Sequence, residues 1–429
     1  VPTARVNPQA PSPRRLGLVG AVGIGIGSML GAGVFVVWAP AVAVAGRWLL
    51  AAIALAALVA VINAASTAQL AAIHPVAGGA YAYGARELGP AWGFVAGLGF
   101  VVGKIASVAA MALAIGSYVW PAHAPIVGVA VVALVWGLNA RGVSRTAWAT
   151  TVIAVIVLVG IAAVVVASLS TNVESVHKVE TAPITVVGVA SAAALIFFAF
   201  AGYARLATLG EEVRDPARTI PRAVAIALAI VVVVYGILGA VLLRRPGVAA
   251  LIGADAPLTL AVPDIAVWRS ALAALAALAA GGALIALMAG IGRTAMAMAR
   301  AGDLPRVLGR TSPTTGVPQI AEAVAGVAAI ALAWWADLGF ALAMSSVSVL
   351  TYYAIANAAA FAARGRATGF AIPRAVSAVG LVLCLALALS LDRVPTLAAV
   401  GVGVVAVVVR AVVLGVRKRG LESRQASRG

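Results

Sequence analysis

Long apolar runs recur along this chain at lengths that match the thickness of a lipid bilayer, and they leave it few other ways to fold. A helix crossing the hydrocarbon core needs about 20 mostly apolar residues. Twelve runs of that kind can be placed: 16–38, 48–73, 92–119, 125–138, 148–169, 184–209, 224–243, 268–298, 320–335, 340–363, 371–391 and 396–416. Those at 125–138 and 320–335 are short. Only 10% of the 429 residues are charged, against 63% hydrophobic, and the mean hydropathy is +1.10. So few charges cannot cover a water-soluble surface, and disordered chains have the opposite composition. The expected fold class is therefore an all-α polytopic membrane protein with about 12 transmembrane helices.

The charges that remain are unbalanced, with 30 Lys+Arg against 13 Asp+Glu, a formal +17. Nucleic-acid binding would need them gathered on one groove or face. With both termini placed inside, 23 of the basic residues fall in inner segments and six in outer ones, leaving Lys104 within a span. That split over many short loops is the positive-inside pattern. Nucleic acid is excluded as a partner, and a multi-pass protein of the cytoplasmic membrane with both termini cytoplasmic is expected. The Pro- and Arg-rich residues 1–15 contain no short apolar core ending in a cleavage site, so the first run reads as a retained span. The basic tail 417–429 suits contact with anionic membrane lipid. Cys384, the single cysteine, reads as a small packing residue. Trp38, Trp48, Trp92, Trp120, Trp148, Trp268, Trp334 and Trp335 sit mostly at span ends, as an aromatic belt would.

Glycine is concentrated in the first span: Gly23, Gly25, Gly27, Gly31 and Gly33 lie in GIGIGSMLGAGVF. No strand precedes them and no acidic residue follows at the right distance, so a phosphate-cradling loop is excluded. Gly27 and Gly31 form a GxxxG packing pair, which accounts for one face but not for five glycines. So dense a run predicts a helix broken at mid-membrane, tolerated only where it is buried or lines a cavity. The sixth span carries Gly202 among Phe197, Phe198, Phe200 and Tyr203. Spans 1 and 6 correspond if the first ten spans are two five-helix repeats, and paired interruptions at matching positions point to a transporter's midplane site. A half-helix starting near Ala32 would aim free N–H groups at an anion. Freed carbonyls would accept from an ammonium, so the pair suits a zwitterion.

These residues resemble the amino acid–polyamine–organocation (APC) superfamily of transporters, most of all its cationic and broad-range amino acid permeases. The motifs are IGSMLGAGVF (26–35), PVAGGAYAYGARELGP (75–90), FFAFAGYARLATLGEEVRDPARTIPRAV (197–224) and MARAGDLP (298–305). The resemblance implies a five-plus-five inverted-repeat (LeuT-like) core with helices 1 and 6 broken, plus two extra C-terminal helices. It divides the chain into a tail at 1–15, repeats at 16–169 and 184–363, helices 11–12 at 371–416, and a tail at 417–429. It implies that Gly31, Ala32 and Gly33 hold a substrate carboxylate through backbone N–H groups, with carbonyls at Ser28 and Met29 facing the amine. Phe198, Ala199, Phe200, Ala201 and Gly202 match the sixth-span stretch, with Phe198 and Phe200 as lid or gate candidates. Many relatives carry an acidic residue just after that glycine, where Tyr203, Ala204 and Arg205 stand here. Strict selectivity for cationic side chains is thereby in doubt, and a small or apolar amino acid fits equally well.

Coupling needs an ionisable group or an ion site inside the membrane. Lys104 is the only mid-span lysine, costs about 2.5–3.5 kcal/mol to insert, and is the candidate for proton coupling. Some proton-coupled relatives place a lysine on the fifth span, where Val157 falls here. The eighth span has no Ser, Thr, Asn or Asp in ALAALAALAAGGALIALMAGIG, which disfavours sodium, a hard cation needing oxygen ligands. Glu211 and Glu212, with Arg86 or Arg300 as partners, are candidates for a salt-bridged inner gate. Glu322 and His74 read as interfacial packing. Three His and one Cys, with carboxylates confined almost wholly to loops, argue against a membrane enzyme, a metal or a cofactor. The expected function is a secondary active amino acid permease, proton-coupled or exchanging; a polyamine/amino acid antiporter and a non-transporting sensor of the same fold stay open.

Overall fold

A computed structural model of the chain describes residues 16–31, 33–74, 78–142, 147–170, 185–207, 213–363 and 371–426. Helices dominate, and among the described residues the only β-type pairing is an isolated bridge between Leu16 and Val213. Span 1 is Leu18–Met29, resuming as Gly33–Val36 and Trp38–Ala45. Spans 2 to 5 are Leu49–Ile73, Pro90–Val119, Ala124–Ala140 and Ala147–Ser170. Span 6 is Val186–Phe200 with a 3-10 turn, Ala201–Tyr203, and a last turn, Ala204–Ala207. Spans 7 to 12 are Pro216–Arg244, Ala266–Arg300, Gln319–Trp335, Leu338–Ala362, Arg374–Ser390 and Arg393–Ala426. Ten are long and apolar enough to cross a membrane, and Gln319–Trp335 and Arg374–Ser390 are shorter apolar helices.

Local chemistry sets several of these ends. Pro90 opens span 3 directly after Gly89, whose φ of 105° turns the chain into the helix. Thr185 and Asp337 cap spans 6 and 10 by accepting from the N–H groups of Gly188 (3.0 Å) and Phe340 (2.7 Å).

The packing is duplicated. Span 1 lies on span 7 as span 6 lies on span 2, and span 3 lies on span 10 as span 8 lies on span 5. Span 3 also meets span 4 as span 8 meets span 9. Raising every number by five, modulo ten, exchanges each contact with its partner. Because a unit of five spans begins and ends on opposite faces, its second copy must cross the membrane upside down. Spans 11 and 12 flank span 10 outside this core, and Arg393–Val413 of span 12 is almost wholly exposed.

Buried polar side chains tie the bundle together. Asn357 on span 10 donates to Asn63 Oδ1 on span 2 (2.6 Å) and accepts from Ser66 Oγ (2.7 Å). Cys384, fully buried, lies 3.3 Å from Asn63 Oδ1, so it packs as expected and adds a weak S–H bond. At the helix ends, Asp303 accepts from Arg410 Nε on span 12 (2.7 Å) and from the Tyr81 hydroxyl (2.9 Å) on the short helix Ala80–Glu87. Burial and the Asp303 carboxylate raise the Tyr81 pKa, which keeps that hydroxyl a donor. His74 and Glu87 pair at 2.5 Å, joining the end of span 2 to the same helix. Glu322 is interior, 2% exposed, packed over Gly292 of span 8.

Of the eight expected belt residues one is core and one, Trp268, is partly buried. Trp48, Trp92, Trp120, Trp148, Trp334 and Trp335 are at least half-exposed, as a belt requires. Trp38 instead is fully buried: its indole N–H donates to Val34 O at 2.6 Å and its ring packs edge-on against Tyr235, 5.9 Å away. Span 1 continues past this tryptophan to Ala45, so it does not lie at the end of its span.

Candidate functional site

Span 1 breaks where its glycines are densest. The α-helix stops at Met29, Leu30 N–H still bonds Ile26 O (2.7 Å), and the next described helix begins at Gly33. A break strands carbonyls that lipid cannot satisfy, and two tyrosines from other spans take them up. Tyr235 of span 7 donates to Met29 O at 2.7 Å, and Tyr118 of span 3 donates to Phe35 O at 2.9 Å. No sequence motif marks either residue for this role. The available signal was a phenol inside an otherwise apolar run, VVVVYGIL around Tyr235.

Span 6 is interrupted at the expected glycine by a tightened 3-10 turn rather than an extended gap. That turn is pressed against the break in span 1. A Cβ on Gly202 would collide with the Ser28 carbonyl and lie 2.7 Å from Met29 N. A Cβ on Gly33 would lie 2.5 Å from Ala199 Cβ and 2.7 Å from Ala199 Cα. Only residues without a side chain allow two backbones this close. The expected residues thus come together pairwise, Ser28 and Met29 with Gly202, and Gly33 with Ala199.

The aromatic neighbours divide by face. Phe200 is fully buried edge-on against Tyr235, with centroids 5.1 Å apart. Phe198, beside the Ala199 that meets Gly33, is buried as well. Ala201 is buried within the 3-10 turn. Gly31 faces span 8, where a Cβ would meet Ala283 Cβ at 3.0 Å, and Met111 of span 3 at 3.8 Å. Ala32, Glu211 and Glu212 lie outside the described residues. Of their proposed partners, Arg86 is exposed on the short helix, and Arg300 Nε donates to Gly309 O at 3.3 Å.

Lys104 lies on the stripe of span 3 that carries Met111, seven residues and about 10 Å further along the helix. It is 8% exposed, and its amine sits over the Phe100 ring, 6.0 Å from the centroid. No hydrogen bond or ion pair reaches that amine among the described residues. On span 5, Thr150, Thr151 and Ala154 are the side chains against Gly23 and Gly27, and Val157 is buried.

Two broken helices with their breaks apposed, inside a duplicated five-helix packing, form the core of a carrier rather than of an enzyme. The amino acid permease family profile matches residues 20–411, nearly the whole chain. The chain belongs to the amino acid permease family. As a permease it is similar to an uncharacterized transporter of Mycobacterium tuberculosis, with 48% identity over 409 residues, 93% of this chain and 92% of the relative. A chloroplastic cationic amino acid transporter of Arabidopsis thaliana is 28% identical over 79% of this permease and 64% of its own length. A branched-chain amino acid permease of Bacillus subtilis is 23% identical over 86% and 84%. The permease is a multi-pass membrane protein and an amino acid transporter, not an enzyme.

The tyrosine bond to the break yields a direct expectation. Tyr235→Phe leaves Met29 O buried without its donor, at a cost of about 1–3 kcal/mol. A lower thermal unfolding midpoint in detergent is the expected readout, with ring packing against Phe200 and Trp38 retained.

Proposed function

We propose that this permease is a secondary active carrier in the cytoplasmic membrane, with both termini cytoplasmic, alternating access around the paired breaks of spans 1 and 6. The single observation that carries this reading is the apposition of Gly202 to the Ser28 carbonyl, which joins the two interruptions into one locus. There the Gly31–Ala32–Gly33 backbone N–H groups bind the α-carboxylate. Carbonyls of Ser28, Met29 and the Phe198–Gly202 stretch receive the α-ammonium. Phe198 closes over the substrate, and Phe200 stiffens the wall through Tyr235. Residues 16–169 and 184–363 act as the two repeats, flanked by 371–416.

The preferred substrate is a small or branched apolar amino acid. Tyr203, Ala204 and Arg205 follow Gly202, so span 6 offers no carboxylate to a cationic side chain. The relative named as a branched-chain permease is consistent with this preference. Protons drive uptake through Lys104, the buried amine on the stripe of span 3 that leads to Gly31. Sodium is disfavoured, because span 8 presents Ala283 to the break instead of a hydroxyl.

Uptake into proteoliposomes across an amino acid panel, under a pH or a sodium gradient, tests the reading. Saturable uptake of the L-enantiomers, raised by an inward proton gradient and indifferent to sodium, is expected. Specific binding without flux would make the protein a sensor, and sodium dependence would remove the coupling assignment.

A further inference from the structure

The eighth span ends at Arg300, and a one-turn 3-10 helix, Arg306–Gly309, folds back against that end. Between them lies a cleft of about 490 Å³ whose charged lining consists of Arg300, Arg306 and Arg310. All three arginines are exposed, and together they give the cleft a positive potential that attracts an anion. The connecting segment 301–318 contains one carboxylate, Asp303, and that is already held by Arg410 and Tyr81. No carboxylate pairs with the three arginines among the described residues.

The cleft is also poor in other donors. Ala301, Arg310 and Gly302 spend their backbone N–H groups on Ala297, Val307 and Ala299 carbonyls. Arg300 is oriented by its own Nε bond to Gly309 O. What the cleft offers is a set of planar cationic forks, the geometry that matches the several oxygens of a phosphate. Its place at the end of a spanning helix puts it at headgroup depth. Val307, 41% exposed beside Arg306, adds apolar surface where an acyl chain would begin.

We propose that this cleft binds the phosphate of an anionic phospholipid headgroup from the inner leaflet. The proposal rests on the orientation given above for the membrane, and on no feature of the substrate site. Basic residues scattered singly satisfy the positive-inside pattern, whereas three line this one cleft.

Native mass spectrometry of the full chain in detergent, titrated with phosphatidylglycerol or phosphatidylcholine, tests it. Wild type is expected to retain phosphatidylglycerol in preference to phosphatidylcholine. Arg306→Gln combined with Arg310→Gln should weaken phosphatidylglycerol binding roughly thirty-fold, with phosphatidylcholine unchanged. The wild-type preference can be read even if the double variant folds poorly. Equal retention of the two lipids, or a folded double variant with undiminished preference, overturns the proposal. A further arm uses inorganic phosphate: displacement of the lipid only at large excess supports a lipid ligand, and displacement at equal concentration assigns the cleft to soluble phosphate. Because the readout is lipid retention, it is independent of transport.

Discussion

Gly202→Ala abolishes amino acid uptake, with a fall of about a hundredfold or more expected for a reacting geometry displaced by an ångström. The added methyl would collide with the Ser28 carbonyl and crowd Met29 N at 2.7 Å. Both are main-chain atoms, so no side chain can rotate away. One helix must retreat, and the two breaks separate. Overpacking of this kind costs about 1–3 kcal/mol in stability, too little to unfold most domains but enough to destroy the locus. Gly401→Ala is the matched control, because a Cβ there meets nothing within 4 Å. Equal uptake by Gly202→Ala and wild type at matched protein levels would mean that the two interruptions do not work as one site.

The second large effect is expected at Lys104. Lys104→Met keeps an unbranched stem of similar length against Phe100 and removes the charge. Accumulation driven by an inward proton gradient should fall at least tenfold, while exchange of external for internal substrate persists. The variant should be no less stable than wild type, since a lysine at mid-span costs about 2.5–3.5 kcal/mol. The two measurements separate coupling from folding. A structural lysine would lose exchange and stability together, and retained proton-driven uptake would leave coupling to another group.

Much of this architecture is legible in the sequence, because bilayer thickness and backbone accounting act locally. Apolar runs of fixed length locate the spans, and five glycines in one run locate the break of span 1 at Met29–Gly33. The same glycine logic finds Gly202 but not the form of the interruption, a 3-10 turn whose tightness depends on the chain pressed against it. What stays hidden is long-range. Nothing local to Tyr235 announces that its hydroxyl satisfies Met29 O, 206 residues away. Trp38 looks like an interfacial residue by position and is core, because its span runs on to Ala45 and packs the ring against Tyr235. Asp303 reads as part of a loop motif, and its ion pair with Arg410 depends on where span 12 docks.

The paired breaks are proposed to hold both ends of a zwitterion, carboxylate on the N–H groups of Gly31, Ala32 and Gly33 and ammonium on the carbonyls around Ser28 and Gly202. Competition against uptake of a radiolabelled L-amino acid tests that claim most directly, using the same amino acid as its methyl ester and as its N-acetyl derivative. Each analogue blocks one charge and leaves the side chain intact. The account predicts that the free amino acid competes and that both analogues fail at a hundredfold excess. Competition by either analogue at the concentration of the parent would contradict it.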